Sequence, residues 1–236
     1  GEEAMNVQKQ PGTNLRTGGQ VLIDQLRIHG VDMAFCVPGE SYLAALDALH
    51  DAPEIKLVVC RQEGGAAMMA DAYGKLTGRP GIVFVTRGPG ATNASAGIHI
   101  SFQDSTPVIL FIGQVGRAMT EREAFQEIDF RRMFGQMAKW VAEIDDAARI
   151  PELVARAFST AVAGRPGPVV LALPEDMLAD RVACADARRY RAVQPAPPPE
   201  ALDELAERLA KAERPLAIVG GGDWDAAAVE NFQRFA

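Results

Sequence analysis

The stretch "KLVVCRQEGGAAMMADAYGKLTGRPGIVFV", residues 56–85, decides the fold. It opens on one short apolar run, 56–60, and closes on another, 81–85. Both are continuous rather than alternating, which marks strands covered on both faces, as in a parallel sheet. Between them, 64–77 reads as a helix. Glu63 stands where strand gives way to helix, crowded by glycine and alanine.

The same unit recurs on either side. Apolar runs fall at 33–37 ("MAFCV"), 107–112 ("PVILFI"), 139–144 ("KWVAEI") and 168–173 ("PVVLAL"). Helical stretches lie near 17–29, 40–50, 91–104 and 147–163, with Leu43, Leu46 and Leu49 at helical spacing. Strand–helix alternation predicts an α/β fold, a doubly wound, six-stranded, mainly parallel sheet with helices on both faces. That domain spans 15–184. Residues 185–200 hold four of the fifteen prolines and read as a stiff linker. Leu202, Leu205, Leu209 and Ala212 mark an amphipathic helix beyond it. "PLAIVGGG" (215–222) reads as a strand with a tight turn, and a last helix follows. Residues 201–236 thus read as the start of a truncated second α/β domain. Residues 1–14 read as a disordered leader, with Gly1 to Ala4 a cloning remnant before a native Met5.

Composition bounds the function. The 236 residues are 48% hydrophobic and 23% charged, with net charge −7. Lys and Arg are scattered, which argues against a nucleic-acid face or an anionic membrane partner. No apolar run approaches the roughly 18 residues of a membrane span, and no signal peptide is visible. Cys36, Cys60 and Cys184 lack metal-ligand spacing, so zinc is not expected and reduced thiols in a cytoplasmic protein are.

In open α/β sheets, ligands bind beyond the carboxyl ends of the strands. The turns there are "PGES" with Pro38, Gly39 and Glu40, "RQEGG" with Glu63, "TRGPGATN" from Thr86 to Asn93, and "GQVGR" with Gln114. Each has an ordinary explanation. A glutamate at a helix start gains ~0.3–1 kcal/mol from the helix dipole without any function. "RGPGATN" lacks the Lys-Ser/Thr of a P-loop, and "GGGD" (220–223) does not keep dinucleotide spacing. His29, His50 and His99 read as surface or packing residues. Ser41 and Ser95 have no triad partners.

Taken in order, "FCVPGESYLAALDAL", "CRQEGGAAMMADAYGKLTGRPG", "VTRGPGATNASAG", "QDSTPVILFIGQV", "EAFQEIDF" and "GRPGPVVLALPEDM" resemble the N-terminal pyrimidine-binding domain of thiamine-diphosphate enzymes. The acetolactate synthase branch is the nearest likeness, and the tail is similar to the start of that family's central domain. The resemblance implies a decarboxylase or carboligase of 2-oxo acids. In such enzymes a glutamate at the position of Glu63 hydrogen-bonds N1′ of the cofactor's aminopyrimidine. It favours the imino tautomer, which can then take the thiazolium C2 proton, so acid–base catalysis runs through the cofactor. The same resemblance puts Pro38, Gly39, Thr86, Pro89 and Asn93 around the pyrimidine and Phe125 and Gln126 on the substrate side.

It also implies Mg2+ with the diphosphate, bound by a C-terminal "G-D-G" stretch that does not occur in this sequence. A homodimer or homotetramer through this domain is implied as well; FAD in a central domain is left open. On this reading the chain supplies half a site, carries no metal ligand and does not turn over alone.

Three departures put the substrate pair in doubt. Gln62 and Gly64 flank the glutamate where acetolactate synthases commonly have His and Gln. "PGE" stands for "PGG". Glu175 replaces the lysine of "LPKD", an anion for a cation beside the substrate path. The competing readings are a non-catalytic partner subunit, another thiamine-diphosphate decarboxylase or oxidase, and an unrelated nucleotide-binding module.

Overall fold

The computed structural model describes residues 15–222 and 224–236. The expected leader, 1–14, and Asp223 of "GGGD" lie outside them. The chain divides into two compact units, with the boundary between Arg191 and Ala192.

The first unit opens with β1 (Arg16–Thr17), α1 (Gly18–Ile28), β2 (Met33–Cys36), α2 (Leu43–His50), β3 (Lys56–Val59) and α3 (Glu63–Thr77). It continues with β4 (Gly81–Val85), α4 (Pro89–Gln103), β5 (Val108–Gln114), α5 (Phe130–Phe134) and β6 (Trp140–Glu143). It closes with α6 (Ile150–Val162), β7 (Pro168–Pro174), α7 (Glu175–Ala179) and β8 (Arg181–Val182). Six strands form one sheet in the order β3-β2-β4-β5-β7-β6, every pair parallel. β1 and β8 form a short antiparallel pair. The six expected strands are all present, with ends shifted by one or two residues. The short helices α5 and α7 escaped the sequence reading because five residues carry too little periodicity to show.

The central strands are apolar throughout because both faces are covered. In β4, Ile82 and Phe84 enter one core and Val83 and Val85 the other. The first core packs α1, α2, α6 and α7 against the sheet, and Phe84 stacks on Phe111 at 4.8 Å. The second packs α3, α4 and α5. Truncating a fully buried phenylalanine such as Phe84 in cores of this kind costs about 3–5 kcal/mol.

Small residues on α3 and α4 set their spacing. A Cβ added at Gly97 would lie 2.5 Å from Ala67 Cβ; α3 is equally close to the sheet, where one at Gly81 of β4 would lie 2.0 Å from the Ala70 carbonyl oxygen. Gly78 ends α3 at φ +66°, in the left-handed region that favours glycine.

Residues 184–190 run against the end of α1. Gln25, fully buried, donates to Asp186 at 2.8 Å and accepts from the Ala187 N–H at 3.1 Å. Arg16 bonds the Cys184 carbonyl and Asp186, and the Tyr190 N–H donates to His29 Nδ1 at 3.2 Å. His29 is a packing residue, stacked on Phe158 at 4.5 Å, while His50 and His99 are exposed.

The second unit holds α8 (Pro199–Lys211) and α9 (Ala226–Phe235). The strand expected in 215–222 is not formed. Leu216 and Ile218 are 85% and 91% exposed, because an isolated strand has no ladder partner for its backbone. No described helix is long and apolar enough to cross a membrane.

Candidate functional site

Parallel strands bring the turns after β2, β3, β4, β5 and β7 to one edge of the sheet. Glu63 is the first residue of α3 and is half-buried there. The helix is capped without it: the Gln62 side chain accepts from the Gly65 N–H at 2.8 Å. The Glu63 carboxylate is therefore free for other work. Its Oε2 accepts from Asn93 Nδ2, on α4, at 2.9 Å. The close α3–α4 seam makes that bond reachable, since a Cβ at Gly64 would lie 3.1 Å from the Asn93 carbonyl oxygen.

The other oxygen, Oε1, faces Gly90. A Cβ built there would lie 3.4 Å from Oε1 and 2.8 Å from Thr86 Cγ2. A Cβ at Gly39 would lie 2.5 Å from Thr86 Cβ. Thr86 is fixed in turn, its hydroxyl 2.8 Å from that of buried Ser41. Ser41 sits on Gly113 so closely that a Cβ at 113 would meet its Oγ at 2.1 Å. Gly90 thus keeps side-chain volume away from one carboxylate oxygen, while Gly39 and Gly113 let Thr86 and Ser41 pack closely behind it. Below them, burial pushes the Tyr42 hydroxyl far above its ordinary range, and nearby Cys36 and Glu63 push the same way. Tyr42 stays a neutral donor to the Val37 carbonyl at 2.5 Å.

The segment after β5 reaches the same edge. The Gln126 backbone lies against Gly88, where an added Cβ would meet Gln126 Cβ at 2.7 Å. The Phe125 ring is 78% exposed. Gln114, buried at the end of β5, donates to the Ile128 carbonyl at 2.9 Å. Beside it a cleft of about 210 Å³ opens at the ends of β5, β6 and β7. Its carboxylates have structural work: Glu127 accepts from the Glu121 and Ala124 N–H groups, and Asp129 caps α5. Glu143, in the same cleft, is pushed up by burial against the pull of Arg131. Among the described residues no group of three His, Cys, Asp or Glu could hold a metal ion.

The structure brings Gly39, Glu63, Thr86 and Asn93 together. Gln126 comes in one step out, through Gly88. Pro38 and Pro89 are exposed neighbours of Gly39 and Gly90 on the rim. Phe125 joins through its carbonyl rather than its ring. Sequence reasoning missed Arg87, which donates from Nη1 to Glu175 at 2.9 Å and from Nε to the Phe125 carbonyl at 3.2 Å. The available signal was a lone arginine inside a glycine-rich turn that follows a buried strand.

The family described as "Thiamine pyrophosphate enzyme, N-terminal TPP binding domain" matches residues 16–133. The chain is 36% identical over 224 residues to the acetolactate synthase large subunit of Lactococcus lactis subsp. lactis (strain IL1403), covering 93% of this chain and 39% of that protein. It is 34% identical over 221 residues to the acetolactate synthase isozyme 2 large subunit of Escherichia coli (strain K12), covering 92% and 40%. Against the mitochondrial acetolactate synthase of Schizosaccharomyces pombe (strain 972 / ATCC 24843) it is 38% identical over 164 residues, 70% of this chain and 24% of that one. The chain spans about two fifths, or less, of the length of these curated relatives.

Proposed function

Because the chain belongs to the thiamine pyrophosphate enzymes, as their N-terminal TPP binding domain, we propose that Glu63 and its neighbours form the pyrimidine half of a cofactor site in an acetolactate synthase-like decarboxylase and carboligase of 2-oxo acids. The observation that carries this reading is the asymmetry of Glu63. One oxygen is tied to Asn93, and the other faces Gly90, which presents no side chain to it. A flat heterocycle fits such a cradle, and a carboxyl oxygen without a hydrogen bond among the described residues can share a proton with a ring nitrogen.

When bound, thiamine diphosphate supplies a carbon nucleophile and an electron sink for loss of carbon dioxide. This chain's residues supply the rest. Asn93 orients the carboxylate, so its free oxygen points the same way before and after binding, at no reorganisation cost. Glu63 accepts or shares a proton at Oε1, which is the general acid–base step. Thr86, held by Ser41, and Gly39 with Pro38 border the ring, and Pro89 closes the rim. Gln126 and Phe125 face the 2-oxo acid.

The magnesium and diphosphate ligands belong, on this reading, to a part of the protein beyond these residues, and FAD would sit there too if it is used. A second copy would complete the site. Val59, Met68 and Met69, close to Glu63 in sequence, are exposed and suit such an interface.

The test is Glu63→Gln in the full-length protein. Turnover is expected to fall by at least about a hundredfold, the scale of a lost acid–base group. The melting temperature should fall by no more than a few degrees, because Gln62 and not Glu63 caps the helix and only the charge–dipole attraction is lost. A variant that turns over like the parent overturns the proposal.

A further inference from the structure

Arg87 joins three segments that are distant in sequence. Its side chain is 13% exposed. Its own N–H points to Ser41 Oγ at 3.4 Å, in the turn that carries Thr86. Its guanidinium spans from the Phe125 carbonyl to Glu175, the first residue of α7. The segment it reaches is costly to hold. Glu121, Glu123 and Gln126 have φ of +61°, +51° and +66°, a region L residues avoid and occupy only where surroundings impose it. The base of the segment is imposed by Arg117, bonded to Asp176 and Asp180 of the α7 region, and by the Glu127 carboxylate. At the tip, the described side-chain hydrogen bond to Phe125 comes from Arg87.

We infer that Arg87, paired with Glu175, is a positioning residue that sets acceptor preference by fixing the Phe125–Gln126 tip against the Thr86–Gly90 turn. The inference rests on the proposed function and deepens it. The tie is to the Phe125 backbone, so the stand of the Phe125–Gln126 tip against the Thr86–Gly90 turn follows from the Arg87–Glu175 geometry. An apolar contact held at fixed distance distinguishes substrates differing by one methylene about tenfold or more. A tip free to move does not. Glu175 thus has a use that explains an anion in this place: it holds the guanidinium, largely out of water, in its bridging position.

The experiment uses the full-length protein with Arg87→Met, Arg87→Lys, Glu175→Gln and the exchange Arg87→Glu/Glu175→Arg. Each variant is given the three- and four-carbon straight-chain 2-oxo acids in competition as acceptors. Arg87→Met and Glu175→Gln are expected to reduce acceptor preference about fivefold or more, with acceptor KM rising more than kcat falls and cofactor affinity unchanged. Lysine should not rescue, since it cannot reach two acceptors with a planar fork. The charge exchange should restore part of the preference.

Preference within about twofold of the parent in Glu175→Gln overturns the inference, as does an equal loss of kcat for both acceptors alongside a lower melting temperature. Glu175 is solvent-facing, so that variant stays informative even if Arg87→Met fails to fold. Glu63→Gln run in parallel separates the two levels. Full turnover there sinks the carboligase reading and this inference with it. An inactive Glu63→Gln with unchanged preference in the other variants sinks the inference alone.

Discussion

Glu63 has neighbours that a helix-start carboxylate does not require. The helix dipole would stabilise any acid there by ~0.3–1 kcal/mol, and Gln62 already caps the helix. Asn93 and the bare face of Gly90 are the additions. Gly90 has no positive φ to justify it, so space is the reason for glycine at this position. Gly90→Ala would place a methyl 2.8 Å from Thr86 Cγ2 and at the open side of Glu63. We expect it to weaken cofactor binding by the full-length protein about tenfold and to lower the melting temperature by a few degrees, because Thr86 must shift to admit the methyl. Isothermal titration checks this, and parental affinity would show that the ring lies elsewhere. Glu63 was legible from "RQEGG" as a helix-start carboxylate, and as a candidate site residue only once the ordered motifs were taken together. Its bond to Asn93 was not, because the two lie thirty positions apart and no local pattern records which helix start faces which.

Two elements owe their positions to contacts that periodicity does not announce. The glycine–alanine seam places α4 so near α3 that Asn93 can reach Glu63, and its signal was an excess of small residues rather than a spacing. The segment 184–190 is held by buried polar groups at the end of α1. Its Tyr190 N–H donates to His29 Nδ1, which requires His29 to be neutral there. Burial, helped by nearby Arg189, lowers the His29 pKa to about 4 from an ordinary 6.5.

The unfolded chain therefore binds this proton more readily than the folded one between those values. The contribution of His29 to stability is complete above about 6.5, falls as pH drops toward about 4, and levels off below. The urea midpoint of the first unit, followed by Trp140 fluorescence in a Trp224→Phe background, should be lower at pH 5 than at pH 7. His29→Phe should shrink that difference, and an unaltered difference would assign it to other groups.

At the scale of the whole molecule, the described residues assemble a carboxylate-bearing cradle with no cluster fit for a metal. The chain covers about two fifths of relatives such as the Lactococcus lactis large subunit. On the proposed reading these residues are one half of a site, and a half-site binds weakly. Titrating the 236-residue chain with thiamine diphosphate and Mg2+ should show no saturable binding in the micromolar range, and micromolar binding would mean that this chain holds the site by itself. The charge pattern also becomes intelligible only at this scale. Read along the sequence, Glu175 is an anion at the start of a short helix. In the fold it is the partner of Arg87, 88 positions away.

The sequence by itself determined the class of the protein. Continuous apolar strands separated by helices can be buried only in a parallel sheet covered on both sides, and such a sheet puts its turns, with Glu63 among them, on one edge. Those are consequences of hydrophobicity and chain direction, which every stretch carries locally. Tertiary structure decided the rest: that β7 lies between β5 and β6, that Asn93 meets one oxygen of Glu63 and leaves the other free, that Arg87 bridges Phe125 and Glu175, and that the apolar tail near Leu216 makes no strand. Each depends on which distant surface a segment packs against, and a side chain's partner across the fold leaves no mark on the residues beside it.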